Sequence, residues 1–565
     1  MKRYWKVLVL CVAILLLGAL VLGCGGDVVT ETQGAGNDTE GTQETDGIKE
    51  TEKPKHEHAS SGEPLEVVEA TCREKGQIQY RCDECRARYV VTTPVGQHDY
   101  KTQYDTAFGY DVVKCNGCGD WRMEVDGNEE IGFAAVCSGD ISVTFDVLGS
   151  VAEIEFIVDG EVVSTSTYEK GEHTVTLAKG LAQGNHTFGF VLKNGGTALD
   201  LTKVDVDGEF YRFNAVILEM TKAPASADYS DFYVYVQTSD PSGNYYVRYR
   251  FYYSYSTKTT NTTNSPTNIS TFRISAAELV KVSAITDTSV TYTALCSLLS
   301  SGEISLAVKE YDYDPEQKKN TVADFCGGFH GDEHIATVGD EKQLFLKADG
   351  VLYTPGAEKK VVRCSSVTFD QITLLDRWAA TAGSKGQFAK HTQNFEITSL
   401  GMSVDREVEW LVDDFVIDSA YPMMFTLLRI DGEKAVCEIV STYDANGNLI
   451  ASEVLALHNT EKQKSVLQNA AVRRVEFSSA TSGVFSTASF TLGENNDGVL
   501  GSPYIAYRLD KGGADNKLYV PMKGSNAVTA SANTTSGTVT KSRPSLGDVW
   551  EISCFYNIDY VNPEN

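Results

Sequence analysis

Hydrophobic and polar residues alternate over most of this chain. Between residues 127 and 213, "EIEFIVDGEVVSTSTYE" changes character at nearly every step around Asp159-Gly160, "HTVTLAKGL" and "HTFGFVLK" repeat the alternation, and "VDVDGEFYRF" closes the stretch. A period of two puts every second side chain on one face of a strand, and an Asp-Gly pair supplies the left-handed residues that a two-residue hairpin turn requires. A small β-sandwich is predicted for 127–213. The remainder, 214–565, carries longer runs of the same kind, among them "DFYVYVQTSD", "NYYVRYRFYYSYS", "EISLAVKEYDY", "KQLFLKADGVLY" and "DVWEISCFYNIDY". Asn264-Ser265-Pro266, Asp349-Gly350 and Asn446-Gly447 are turn signals between such runs. Helical periodicity is weak and confined to residues 276–282. A larger antiparallel β-sandwich is predicted over 214–565, and the uneven spacing of its runs argues against a propeller.

The N-terminal residues break this pattern. Lys2, Arg3 and Lys6 precede an apolar run from Val7 to Leu17 that is too short for an ordinary spanning helix, and Val21-Leu22-Gly23-Cys24 follows. The arrangement resembles the lipobox of bacterial lipoproteins. That resemblance implies a signal peptide over 1–23, a diacylglyceryl group on the Cys24 thiol, and an exported chain anchored to the cell membrane and facing outward. Two acyl chains, at about 0.8 kcal/mol per buried CH₂, suffice for stable anchoring. Residues 24–55 hold Gly, Thr, Glu, Asp and Asn with almost nothing to bury, and are expected to form a disordered tether.

Composition narrows the partners. The 77 acidic residues against 49 basic ones give a net charge of -28, which repels nucleic-acid phosphates. The 28 tyrosines and 23 phenylalanines beside only 13 prolines favour strands over helices. No second stretch is long and apolar enough to cross a membrane.

Five of the 13 cysteines crowd together between residues 56 and 126. His58 precedes Cys72 and Cys82-Asp83-Glu84-Cys85; His98 precedes Cys115-Asn116-Gly117-Cys118. Superposing the two CxxC pairs also superposes Gly76 on Gly109, with Asp105 where Cys72 stood. "EATCREKGQIQYRCDEC" and "VGQHDY" resemble the Cys/His repeats of clostridial and related surface proteins. Thiolates and imidazoles suit zinc, and a segment this poor in apolar residues needs a staple to fold. A structural zinc ion in each repeat is expected, the first on His58, Cys72, Cys82 and Cys85, the second on His98, Asp105, Cys115 and Cys118. Disulfides are the alternative, while a redox CxxC lacks its βαβ context. Cys137, Cys296, Cys326, Cys364, Cys437 and Cys554 are scattered singly and read as small buried hydrophobes.

Candidate chemistry gathers in "CGGFHGDEH", where His330, Asp332, Glu333 and His334 follow paired glycines. Imidazoles and carboxylates so close together could hold a metal or supply a general base and acid, and His391, Glu396 and Arg377 are candidates to join them from a facing strand. If the segment is extended, His330, Asp332 and His334 share one face and Glu333 takes the other. The bland reading is a glycine turn with solvated polar residues. In the tyrosine run, Tyr249 and Tyr253 are placed on one face, Tyr246 and Tyr252 on the other; exposed rings stack on sugars, whereas buried ones are core. No Gly-x-Ser-x-Gly elbow, HExxH, Walker loop or Rossmann fingerprint is present.

Two further resemblances bear on function. The series VDG, GLxxGxHT, K and a final DG within 127–213 resembles the small jelly-roll that precedes the catalytic domain of some bacterial carbohydrate esterases. "FLKADGVLY", "KHTQNFEI", "SAYPMMFTLL" and "NKLYVPM" are similar to β-rich polysaccharide-interacting domains of surface and phage-tail proteins. The expectation is a mainly β, multidomain protein. A zinc-ribbon-like unit over 56–126 is followed by a small jelly-roll β-sandwich over 127–213 and a larger antiparallel one over 214–565. It is anchored through Cys24 and binds polysaccharide at the cell envelope. The alternatives are a polysaccharide lyase or glycoside hydrolase with catalytic His330, Asp332, Glu333 and His391, and an adhesion or scaffold module recognising protein.

Overall fold

A computed structural model describes residues 57–564, apart from 69, 71–74, 98, 106–109, 118–120, 127–129, 194–197, 258–267, 300–303, 312, 315–318, 321–324, 327–332, 380–382, 432–433, 456–462, 511–512 and 532–537. The described residues form two compact units, one within 1–67 and 77–91, the other within 68–76 and 92–565. No helix occurs among them, and the chain is mainly β with several sheets. Residues 1–55, where a lipobox at Cys24 and a disordered tether are expected, lie outside the described residues.

The first unit is built on a three-stranded sheet, Glu66–Val68, Gly76–Arg81 and Arg88–Thr93. Its last two strands are joined through the Cys82-to-Cys85 turn. This is a thin structure: Val67, Val90 and Val91 are exposed, so little apolar surface holds it together.

In the second unit, strands Tyr100–Asp105, Tyr110–Cys115 and Trp121–Asp126 continue into one six-stranded sheet with Ala198–Tyr211, Ile131–Val158 and Glu161–Leu192. Met123 stands opposite Leu201, and Val112 and Met123 enter the core of Phe133, Phe145 and Phe156. The segment 100–126 therefore shares one sheet with the strands of 131–211. Its alternating "YDVVKC" and "WRMEVD" have an apolar face to bury, which the first repeat lacks.

The Ile131–Val158 and Glu161–Leu192 pair is a long hairpin that curls back on itself. Phe190 pairs with both Ile131 and Phe156, so the end of one strand lies between the two ends of the other. The Asp-Gly turn forms where the sequence places it, with Asp159 at φ 52° and Gly160 at φ 78°. His186 of the GLxxGxHT stretch locks this turn, its Nδ1 2.8 Å from the Asp159 carboxylate and its Nε2 2.9 Å from the Ala182 carbonyl.

The small and large parts interlock after Tyr211. Tyr211 and Phe213 pack with Ala134 and Leu400, the Arg212 amide donates to Ser399 Oγ, and the Asn214 amide donates to Ser365 Oγ. The Arg212 guanidinium donates to the Thr238 and Gln237 carbonyls.

The large part is organised around one core shared by a seventeen-stranded sheet and a five-stranded one. Val234, Phe251, Phe369 and Tyr556 come from the first, Phe425, Leu427, Ile505 and Leu518 from the second. Nearly every pairing among the described residues is antiparallel; Glu333–Ile335 runs parallel to Asn268–Thr286 on one side and antiparallel to Val367–Ala379 on the other, and the isolated Lys222–Gly356 bridge is parallel as well. Residues 276–282, which carry a weak helical pattern, are extended within Asn268–Thr286. Ala277 and Leu279 feed one core while Val280 and Val282 feed a second on the opposite face, so two-sided burial overrides local propensity.

Candidate functional site

The first candidate site is a metal centre in the CxxC turn. The Cys82 amide donates to the Ala87 carbonyl, the Arg86 amide donates back to the Cys82 carbonyl, and Arg86 turns left-handed at φ 61°. This tight loop presents two sulfurs to one point. The segment bearing His58 is tied to the same turn, because the Asp83 amide donates to Ala59 and the Ser61 amide donates to the Asp83 carboxylate at 2.7 Å. His58 stacks on Tyr89 with centroids 5.4 Å apart, and Tyr89 stacks on Tyr80. The ligand atoms of His58, Cys82 and Cys85 lie within 4.8 Å of one another, so this cluster can hold a metal ion. Cys85 Sγ lies 3.5 Å from His58 Nδ1, close enough for both to reach one ion.

Other residues expected in the metal sites are placed less fully. Cys72, His98 and Cys118 lie outside the described residues. Asp105 belongs to the strand Tyr100–Asp105, and Cys115 is buried at the end of Tyr110–Cys115.

The second candidate is the acid–base group. His330 and Asp332 lie outside the described residues. Glu333 and His391 are brought together from strands separated by Val367–Ala379, with His391 Nδ1 3.4 Å from Glu333 Oε1. Both are interior, at 3 % and 2 % exposure. Thr373 donates to Glu333 at 2.8 Å, Arg273 lies 3.8 Å from its other oxygen, and Arg406 Nη1 lies 3.4 Å from His391 Nε2 and donates to Gln393 at 3.0 Å. A guanidinium can only donate, so Nε2 is the acceptor and Nδ1 carries the proton that points at Glu333. Burial drives the His391 imidazole below its ordinary value, with Arg406 adding to the fall against the pull of Glu333. Burial works against ionisation of Glu333, but the His391 hydrogen bond, Arg273 and Thr373 outweigh it and hold the carboxyl below its usual range. An ionised Glu333 beside a neutral His391 cross-links, in the interior, the two strands that flank Val367–Ala379.

The remaining members of that group point elsewhere. As expected, Glu333 and His334 take opposite faces: His334 is part-exposed, 3.7 Å from Asp376. Arg377 engages Asp414 and Glu310. Glu396 lies five residues beyond His391, hence on the other face of its strand, and its carboxyl is pushed up by burial and by Asp405 and Asp370.

The tyrosine run divides as its alternation predicts. Tyr249 and Tyr253 are core, Tyr246 is buried on the other face, and the two exposed rings, Tyr252 and Tyr255, point to opposite sides of the strand. They form no single platform. A more continuous aromatic surface, missed in the sequence, runs from the five-stranded sheet onto the end of the strand Ile417–Tyr421. Tyr504 stands opposite Tyr519 with stacked rings 5.1 Å apart, Tyr421 lies 4.8 Å from Tyr519, and Phe325 lies 6.1 Å from Tyr421. The Tyr421 and Tyr504 hydroxyls are 3.4 Å apart. Burial, then the bond to Tyr421, pushes the Tyr504 phenol up, so it stays neutral.

At Tyr421 this row opens into a groove of about 530 Å³, within the roughly 300–1,000 Å³ common for ligand sites. Its walls are the strand Ile417–Tyr421, residues 521–525 and the strand Thr538–Arg543. Beneath it Ile417, Ala420 and Met522 belong to the core of Trp410 and Trp550, which makes the floor rigid. Gly524 lines the groove where a Cβ would overlap the Arg543 carbonyl, so only glycine lets the two walls approach. Asp418, Ser419, Thr540 and Lys541 supply its polar groups. The signal available in the sequence was the pair of fragments "SAYPMMFTLL" and "NKLYVPM", which carry Tyr421, Tyr519 and Met522, but nothing local says that they meet.

Compared with known proteins, the chain matches no family model and no curated protein.

Proposed function

We propose that this is a lipid-anchored protein of the bacterial cell surface that binds glycan through the groove beside Tyr421. The observation that supports it best is the groove itself: a rigid apolar floor, a row of half-buried tyrosine rings at its edge, and hydroxyl, carboxylate and ammonium groups on its walls. A pyranose has apolar C–H faces and a rim of hydroxyls, and that mixture matches an aromatic ring set among hydrogen-bonding side chains. Anchoring through Cys24 and a polar tether over 24–55 would carry the β units away from the bilayer. Zinc on His58, Cys82 and Cys85, with Cys72 as fourth ligand, would staple the thin first unit, and the curled hairpin over 131–192 would be a small jelly-roll acting as a mount.

The test is retention of the full chain on a panel of immobilised envelope and host polysaccharides, with Tyr421→Ala beside the natural sequence. Retention that weakens at least about tenfold in the variant, a loss of about 1.4 kcal/mol, supports the reading. No retention on any glycan, or retention that Tyr421→Ala leaves intact, removes this site and returns the question to protein partners.

A further inference from the structure

Resting on the glycan-binding reading, we infer that the groove selects a neutral sugar chain bearing adjacent hydroxyls over an acidic one, with Asp418 and Lys541 as the specificity-determining pair. Antiparallel pairing sets Ile417 opposite Ser542, and this register brings Asp418 beside Lys541, with Nζ donating to Oδ1 at 2.7 Å. Both side chains are largely but not wholly buried, at 25 % and 20 % exposure, so they are held in place yet reach the groove. Lys541 is steadied further by the Tyr311 ring, 4.5 Å from its nitrogen.

A carboxylate and an ammonium fixed side by side present one acceptor and one donor at hydrogen-bonding separation. Two hydroxyls on neighbouring sugar carbons are spaced in the same way; one donates to Asp418 while the other accepts from Lys541. Bonds to charged groups are the stronger kind, so two of them discriminate well. An acidic sugar meets the opposite condition. Asp418 cancels the charge of Lys541 and faces an incoming carboxylate or phosphate directly, and the chain as a whole carries -28, which disfavours approach of a polyanion. Among the described residues lining the groove Lys523 is the one further charged group, and as an exposed lysine it adds little.

The two ligand classes make Asp418→Asn move binding in opposite directions. The experiment measures retention of the full chain, Asp418→Asn and Lys541→Gln on neutral glucan, mannan and galactan, and on polygalacturonate, at low and high salt. Near-ultraviolet circular dichroism checks that each variant keeps its fold, and both substitutions preserve size. The expected result is binding to a neutral polymer that high salt leaves intact, about tenfold weaker in each variant, with polygalacturonate unbound. Salt-sensitive retention of polygalacturonate that tightens in Asp418→Asn overturns the inference while leaving glycan binding in place. Neutral-polymer binding that neither variant changes, although Tyr421→Ala abolishes it, overturns it too. If no polymer of either class is retained, the glycan-binding reading falls and the inference with it.

Discussion

Replacing Glu333 by Gln isolates what the buried ion network contributes. The substitution keeps the volume, and the amide oxygen can still accept from Thr373, so no cavity opens. What disappears is the negative charge that faces Arg273 at 3.8 Å and orders His391, in a place where the Glu333 and Arg273 side chains are 4 % and 5 % exposed. Arg406, 2 % exposed, adds a second interior cation. Removing one partner of such a pair costs about 3–5 kcal/mol because the remaining charge stays buried without compensation. We expect about 3 kcal/mol, the lower figure, since Gln retains one hydrogen bond. The assay is urea unfolding of the full chain followed by tryptophan fluorescence, which reports on the large β unit through the fully buried Trp410 and Trp550. Adding Arg273→Met should recover part of the loss, because the two sites are coupled through one interaction. A change within about 0.5 kcal/mol for Glu333→Gln would refute the reasoning and show that water already screens the network.

Acid should weaken the same unit in two stages. His391 is neutral when folded and its value is depressed, so its contribution is full above the unfolded value near 6.5 and is lost as pH falls below it, when the unfolded chain takes up a proton that the folded one does not. Glu333 is also depressed and adds a second loss below about pH 4.5. His391→Gln should flatten the first stage alone in urea titrations between about pH 7 and 5, and an unchanged slope would count against a neutral imidazole. In the first unit, chelation or Cys85→Ser should unfold residues 57–67 and 77–91 while leaving the β-sandwich signal unchanged, since a structural metal supplies about 10–16 kcal/mol of apparent folding energy. Limited proteolysis reads this directly, and cobalt(II) bound through thiolates should give a charge-transfer absorption that Cys85→Ser diminishes. Protection that survives a strong chelator would argue for disulfides.

Alternation alone determined that this chain is β-rich, because a period of two is a local property that a strand converts directly into one buried and one exposed face. The same local logic found the Asp159-Gly160 turn, the division of Tyr249 and Tyr253 from Tyr246 and Tyr252, and the grouping of His58 with Cys82 and Cys85, whose spacing within about thirty residues constrains the loop that joins them. Pairing between distant strands is different in kind. Whether His391 meets Glu333 or a solvent-facing residue depends on the register of three strands, and a slip of one would send each side chain to the opposite face. Burial then decided their character: taken out of water, a carboxylate and an imidazole that read as an acid–base pair became an ionised and a neutral partner between two arginines. The groove was decided in the same way. Tyr421, Tyr504 and Tyr519 span almost a hundred residues and Asp418 is 123 residues from Lys541. Only the folding of the five-stranded sheet over the core of Phe251, Phe369 and Tyr556, and of the strands Ile417–Tyr421 and Thr538–Arg543 beside the Trp410 and Trp550 core, gives them a common surface, because side-chain chemistry is local while the surface it serves is made by contacts that no short window of sequence contains.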